Sequence, residues 1–113
     1  MTVQEATGYM RLRQPARAVA AYEAGLNQWP SEFRRDQGVY YGRLARAHAA
    51  THALDQAVAA ARVALAIGAE TKSSRIAGEL RQLTGSLSTS QRHPAVASLT
   101  EQLRALPAAL APC

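Results

Sequence analysis

Residues 16–30, Ala-Arg-Ala-Val-Ala-Ala-Tyr-Glu-Ala-Gly-Leu-Asn-Gln-Trp-Pro, decide how the chain is read. Pro15 precedes the run and no further proline occurs until Pro30, while Val19, Tyr22, Leu26 and Trp29 recur at steps of three and four. That spacing is one face of a helix. Ala18, Ala21 and Gly25 form a second strip beside it, where another helix can approach closely. A helix with two apolar neighbours is what a stack of helical hairpins requires, so the rest of the chain is expected to contain copies of it.

Outward from this stretch the pattern repeats. Toward the N-terminus, Thr2-Val-Gln-Glu5 reads as a capping box opening a short helix with Val3, Ala6 and Met10 on its apolar face and Tyr9 beside it. That helix stops near Arg13, because Pro15 disfavours helical geometry at Gln14 and suits the first position of the next helix. Beyond Pro30, SEFRRDQ reads as a connection, with Asp36 as the expected cap of a third helix carrying Tyr41, Leu44, Ala45 and His48. This helix is expected to end near Thr51-His52-Ala53. A fourth, from about Leu54 to Ile67, turns Ala57, Val58, Ala61 and Leu65 inward, with Gly68 as its expected stop. Ile76, Leu80, Leu83 and Leu87 mark a fifth helix, and SLSTSQRH, residues 86–93, reads as a polar loop. Pro94 opens a sixth helix with Val96, Leu99, Leu103 and Leu106, and Pro107 closes it. No strand pattern appears. The expected fold is all-α: three antiparallel helical hairpins, at about 2–30, 35–69 and 73–107, in one domain with a loose tail at 108–113.

Composition excludes several classes. The chain has 113 residues, enough for one core, and its single cysteine, Cys113, allows no internal disulfide. Cys113 is also misplaced for a prenylation box. No run approaches the roughly 18 apolar residues of a membrane span, and no signal-peptide pattern opens the chain; a soluble, cytoplasmic protein is expected. The formal charge is +5, but the basic residues are scattered, with no block longer than two. Such dispersion fits a solvated surface better than a phosphate track.

Catalytic and metal patterns are weak. His48 and His52 stand four apart, the spacing at which two imidazoles share a metal, yet nothing completes the ligand set and His48 occupies a packing position. Ser86, Ser88 and Ser90 lack the glycine-flanked elbow of a nucleophile. Glu23, Asp55, Glu70, Glu79 and Glu101 each sit alone on a helix or its end, and no glycine loop cradles phosphate. The expectation is no enzyme activity and no cofactor.

The hairpins also match a known pattern. Ala18, Tyr22, Gly25 and Pro30 have the spacing that closes a tetratricopeptide repeat, with Tyr9 at the aromatic position of the first helix. The second copy has Leu44-Ala45, His48, Ala57, Ala61 and Ala64, although Ala18 to Ala57 spans 39 residues where the usual period is about 34. The third hairpin keeps only the leucine rhythm, as a terminal capping repeat would. YMRLRQPARAVAAYEAGLNQWP, RRDQGVYYGRLARAHA, ALAIGAETKSSR and HPAVASLTEQLRAL together resemble the C-terminal tetratricopeptide-like region of actinobacterial Xre-type helix-turn-helix transcriptional regulators. The resemblance implies a sensory, partner-binding or dimerising part whose DNA-reading domain lies elsewhere, so the chain is expected to be a piece of such a regulator or a stand-alone relative.

In such stacks helices one, three and five line the concave side. That places Thr7 and Arg11 with Val39, Gly42, Arg43, Arg46 and Ala49 in a groove, where the arginines can pair with a peptide carboxylate or a small anionic ligand. The competing expectation is that Arg43 and Arg46 are solvated or paired with acids such as Asp36. The paired asparagines of the chaperone-binding clamp are absent. A leucine stripe on the sixth helix, covered on one side by the fifth, suggests a homodimer through a terminal hairpin. The function expected is a non-catalytic protein-binding or ligand-sensing module associated with transcriptional regulation. The alternatives are a small basic protein binding nucleic acid directly, or a biosynthetic accessory protein or enzyme with its pocket in the helical groove.

Overall fold

The computed structural model describes residues 3–30 and 32–105. Those residues form six α-helices and no strand: α1 (Val3–Arg11), α2 (Pro15–Asn27), α3 (Arg34–Ala50), α4 (Leu54–Thr71), α5 (Ser74–Ser86) and α6 (Pro94–Arg104), with a 3₁₀ turn at Ser88–Ser90. No described helix is long and apolar enough to cross a membrane. Thr2 of the expected capping box, Leu106, Pro107 and the tail lie outside the described residues.

Helix starts follow the local chemistry. Pro15 and Pro94 each occupy the first turn, where the missing N–H has no intrahelical acceptor to lose. Ser73 caps α5, its Oγ accepting from the Ile76 amide at 3.3 Å. Asp36 is not a cap: α3 begins two residues earlier, and Asp36 lies in its first turn, where a carboxylate favours the helix dipole.

Three helix ends share one device that the sequence does not announce. Arg13, His52 and Lys72 adopt left-handed backbone, with φ of 57°, 60° and 52°. In each case the following amide reaches back five residues: Gln14 to the Tyr9 carbonyl, Ala53 to that of His48, Ser73 to that of Gly68. This is the Schellman closure, made here without glycine at a cost of about 1 kcal/mol per site. Gly68 therefore does not end α4, which runs on to Thr71.

The glycines serve packing instead. A Cβ on Gly38 would collide with Ile76 and Ile67, one on Gly42 would lie 2.9 Å from Glu79 Cβ, and one on Gly68 would lie 3.0 Å from Ile76 Cγ2. These positions let α5 settle directly onto α3 and α4. Ile76, Leu80, Leu83 and Leu87 are all buried beneath it, continuous with Ala18, Ala21, Tyr22 and Leu26 of α2 and the alanine-rich face of α4. At roughly 25 cal/mol per Å² of apolar surface removed from water, this contiguous core is the main source of stability.

Each helix packs on the next, with α3 also on α5 and α4 on α6. The last pair departs from expectation: α6 lies chiefly on α4 and only lightly on α5. Leu87 and the 3₁₀ turn carry the chain across, and Arg62 of α4 reaches Ser98 and Gln102 of α6 at 3.5 and 3.4 Å. Val96 and Leu99 are fully buried and Leu103 partly so, packed against the same core.

Candidate functional site

Thr7, Met10 and Arg11 of α1, Tyr22 of α2, Arg43 and Arg46 of α3 and Glu79 of α5 surround one cavity of about 310 Å³. Four of the seven residues expected in the groove, Thr7, Arg11, Arg43 and Arg46, meet here. Val39 does not: it is 1% exposed. Val39, like Gly42 and Ala49, lies on the buried side of α3, and α5 approaches that helix so closely that Glu79 lies against Gly42.

Glu79 organises the arginines. Its Oε1 accepts from Arg43 Nε at 3.2 Å and its Oε2 from Arg46 Nη1 at 3.0 Å. The carboxylate side chain is only 12% exposed, so two guanidinium partners offset its desolvation. Asp36, the partner anticipated from sequence, instead faces Arg75 at 3.7 Å. Each arginine contributes one N–H to Glu79 and retains other donors on its planar fork. Arg43 is further fixed by stacking 5.1 Å above the Tyr40 ring, which in turn packs on Trp29 and Tyr22 with centroids 5.2 and 6.3 Å away. Trp29 is anchored by its Nε1, which donates to the Phe33 carbonyl at 2.8 Å.

The floor is polar at one point. Thr7 Oγ1 and Tyr22 Oη share a hydrogen bond of 3.0 Å. Burial pushes the Tyr22 pKa above its ordinary value, against the hydrogen bond from Thr7 and the charge of Arg43, so the phenol is neutral at physiological pH and can donate. Three guanidinium groups against one carboxylate leave a surplus of two positive charges around the cavity. The arrangement can hold an anion.

Glu79, Tyr22 and Met10 were not anticipated here. A signal for Glu79 exists: it stands 36 and 33 residues beyond Arg43 and Arg46, close to the spacing expected between copies of one hairpin. Of the histidines, His52 ends α3, and His48 lies on the other side of that helix near Glu23. Among the described residues no group of three His, Cys, Asp or Glu side chains could hold a metal. Ser86, Ser88 and Ser90 lie at the end of α5 and in the 3₁₀ turn, away from the cavity.

No family model, curated protein or solved structure matches the chain.

Proposed function

We propose that this chain is a non-catalytic binding module of tetratricopeptide-like build, whose groove between α1, α3 and α5 takes an acidic group of a protein or peptide partner, or a small anionic ligand. The observation that carries the reading is the convergence of Arg11, Arg43 and Arg46 with the Thr7 and Tyr22 hydroxyls around one cavity. Glu79 holds two of the guanidinium groups in place before any ligand arrives, which reduces the ordering cost of binding. Side-chain contacts of α3 with α5 and of α4 with α6 span 33 to 40 residues, which supports the repeat architecture. A sensory or adaptor role in transcriptional regulation accords with the sequence resemblance. Direct nucleic-acid binding has less support, since Arg34, Arg43, Arg46 and Arg75 all face carboxylates of the chain itself.

Calorimetric titration with a short acidic peptide and with inorganic phosphate tests the groove. Arg46→Glu is expected to weaken binding by about tenfold or more, the loss of one charge-assisted contact and its replacement by repulsion. Unchanged affinity in that variant counts against the groove. Submicromolar DNA binding that collapses with added salt would favour the nucleic-acid alternative.

A further inference from the structure

The opposite side of α3 carries a second concavity. In a helix successive residues are turned by about 100°, so Tyr41, Leu44 and His48 project away from Arg43 and Arg46. They floor a trough flanked by Glu23, Leu26 and Asn27 of α2 and by Gln56, Ala59, Ala60 and Val63 of α4, with a volume of about 370 Å³. The two flanking helices each pack on α3 but not extensively on one another, which leaves the trough open between them.

Its chemistry is unlike that of the groove. Leu26, Leu44 and Ala60 are buried at its base, and Val63 is one of the few large apolar side chains the fold leaves exposed. Glu23 is the one acidic lining residue, and no lysine or arginine is present. Burial lowers the His48 pKa against the opposing effect of Glu23, so the imidazole is neutral at physiological pH. Glu23 is half-exposed, and its ion-pair contact among the described residues is with His48 Nε2 at 3.8 Å, too long for a hydrogen bond. A carboxylate without a close cationic partner therefore stands at the edge of an apolar hollow that has an aromatic residue, Tyr41, in its wall.

We propose that this trough binds a small apolar organic cation, an aryl or alkyl ammonium whose hydrocarbon fills the Leu26, Leu44 and Val63 floor while its charge sits beside Glu23. The volume lies at the low end of the roughly 300–1,000 Å³ of small-molecule sites, which sets the ligand at about ten heavy atoms. Tyr41 adds quadrupolar attraction for the cation. Proton linkage follows from the two groups that meet here. Glu23 from α2 is the charged group facing His48, and Gln56 from α4 is neutral. Protonated His48 pairs with Glu23 and competes with the ligand, so binding weakens as pH falls below the ordinary histidine value of about 6.5. The site is independent of whatever the groove binds.

Benzyltrimethylammonium is the probe, titrated into the full chain and followed by NMR shifts of the His48 and Val63 resonances. Saturable binding below about 10 mM is expected, with a neutral carbon isostere and the Glu23→Gln variant each weaker by about fivefold or more. Val63→Lys, which tethers a competing ammonium at the trough, is expected to abolish binding while circular dichroism stays unchanged. No saturation, equal affinity for the neutral isostere, or indifference to Glu23→Gln would overturn the proposal. So would binding of a lysine-containing peptide in the trough when the small cation does not bind.

Discussion

The two sides of α3 show how one helix can present opposite chemistries. On the groove side α5 lies so close that only long side chains clear it, and what emerges is charged: Arg43 and Arg46 gripped by Glu79. On the trough side α2 and α4 stand apart, and Tyr41, Leu44 and His48 of α3 form the floor. The difference comes from helix separation. Close approach demands glycine at positions 38 and 42 and forces polar groups to the rim, where they must find partners. Wider separation leaves apolar surface that no neighbouring helix covers.

The sharpest way to break this contrast is to push α5 off α3. Gly38→Val places a branched side chain where Ile76 and Ile67 already sit, and it is expected to cost about 3 kcal/mol in urea unfolding, overpacking outweighing the gain in helix propensity. In any fraction that folds, the groove should lose its anion affinity as the displaced α5 no longer closes the cavity, while NMR shifts at Tyr41 and His48 stay near their native values. Disruption of the trough by the same change would mean that the two sides are not separable.

A smaller effect is expected from Glu79→Ala. It removes the shared acceptor of two partly buried arginines and should lower stability by about 1–2 kcal/mol, measured by chemical denaturation. The surplus around the groove rises from two positive charges to three, so phosphate affinity should increase even as stability falls. Opposite signs in the two measurements would show that net charge governs anion binding; a parallel loss would show that binding depends on the guanidinium geometry that Glu79 fixes.

The smallest change concerns His48. Its folded pKa is depressed, chiefly by burial, so the neutral form is favoured by folding. The resulting stability is present above the unfolded value of about 6.5 and is lost as pH falls through the folded value. Wild-type protein should therefore lose stability on acidification below about pH 6.5 more steeply than His48→Gln, as read from thermal midpoints across the pH series. Equal slopes would mean that His48 titrates as if solvated, and the trough would lose its proton linkage.

Much of the helical layout was legible in sequence because its causes are local. Pro15 and Pro94 start α2 and α6 wherever the chain lies in space, and the spacing of Ile76, Leu80, Leu83 and Leu87 marks a buried face before any partner is known. Thr7, Arg11, Arg43 and Arg46, grouped in sequence by the expectation of a hairpin stack, do line one cavity. Gly68 misled for a local reason as well: glycine is the commonest residue to end a helix, but this chain ends α4 at Lys72 and uses Gly68 to admit Ile76.

What the sequence by itself determined was thus the number, phase and most of the limits of the described helices, properties set by backbone sterics and by apolar periodicity within ten or fifteen residues. Only the tertiary structure decided that Val39 is buried away from the groove, that α6 rests on α4, that Glu79 joins Arg43 to Arg46, and that a trough opens on the other side of α3. Those outcomes depend on how near two helices come. That distance is settled by side chains from several elements at once, which no single stretch of sequence contains.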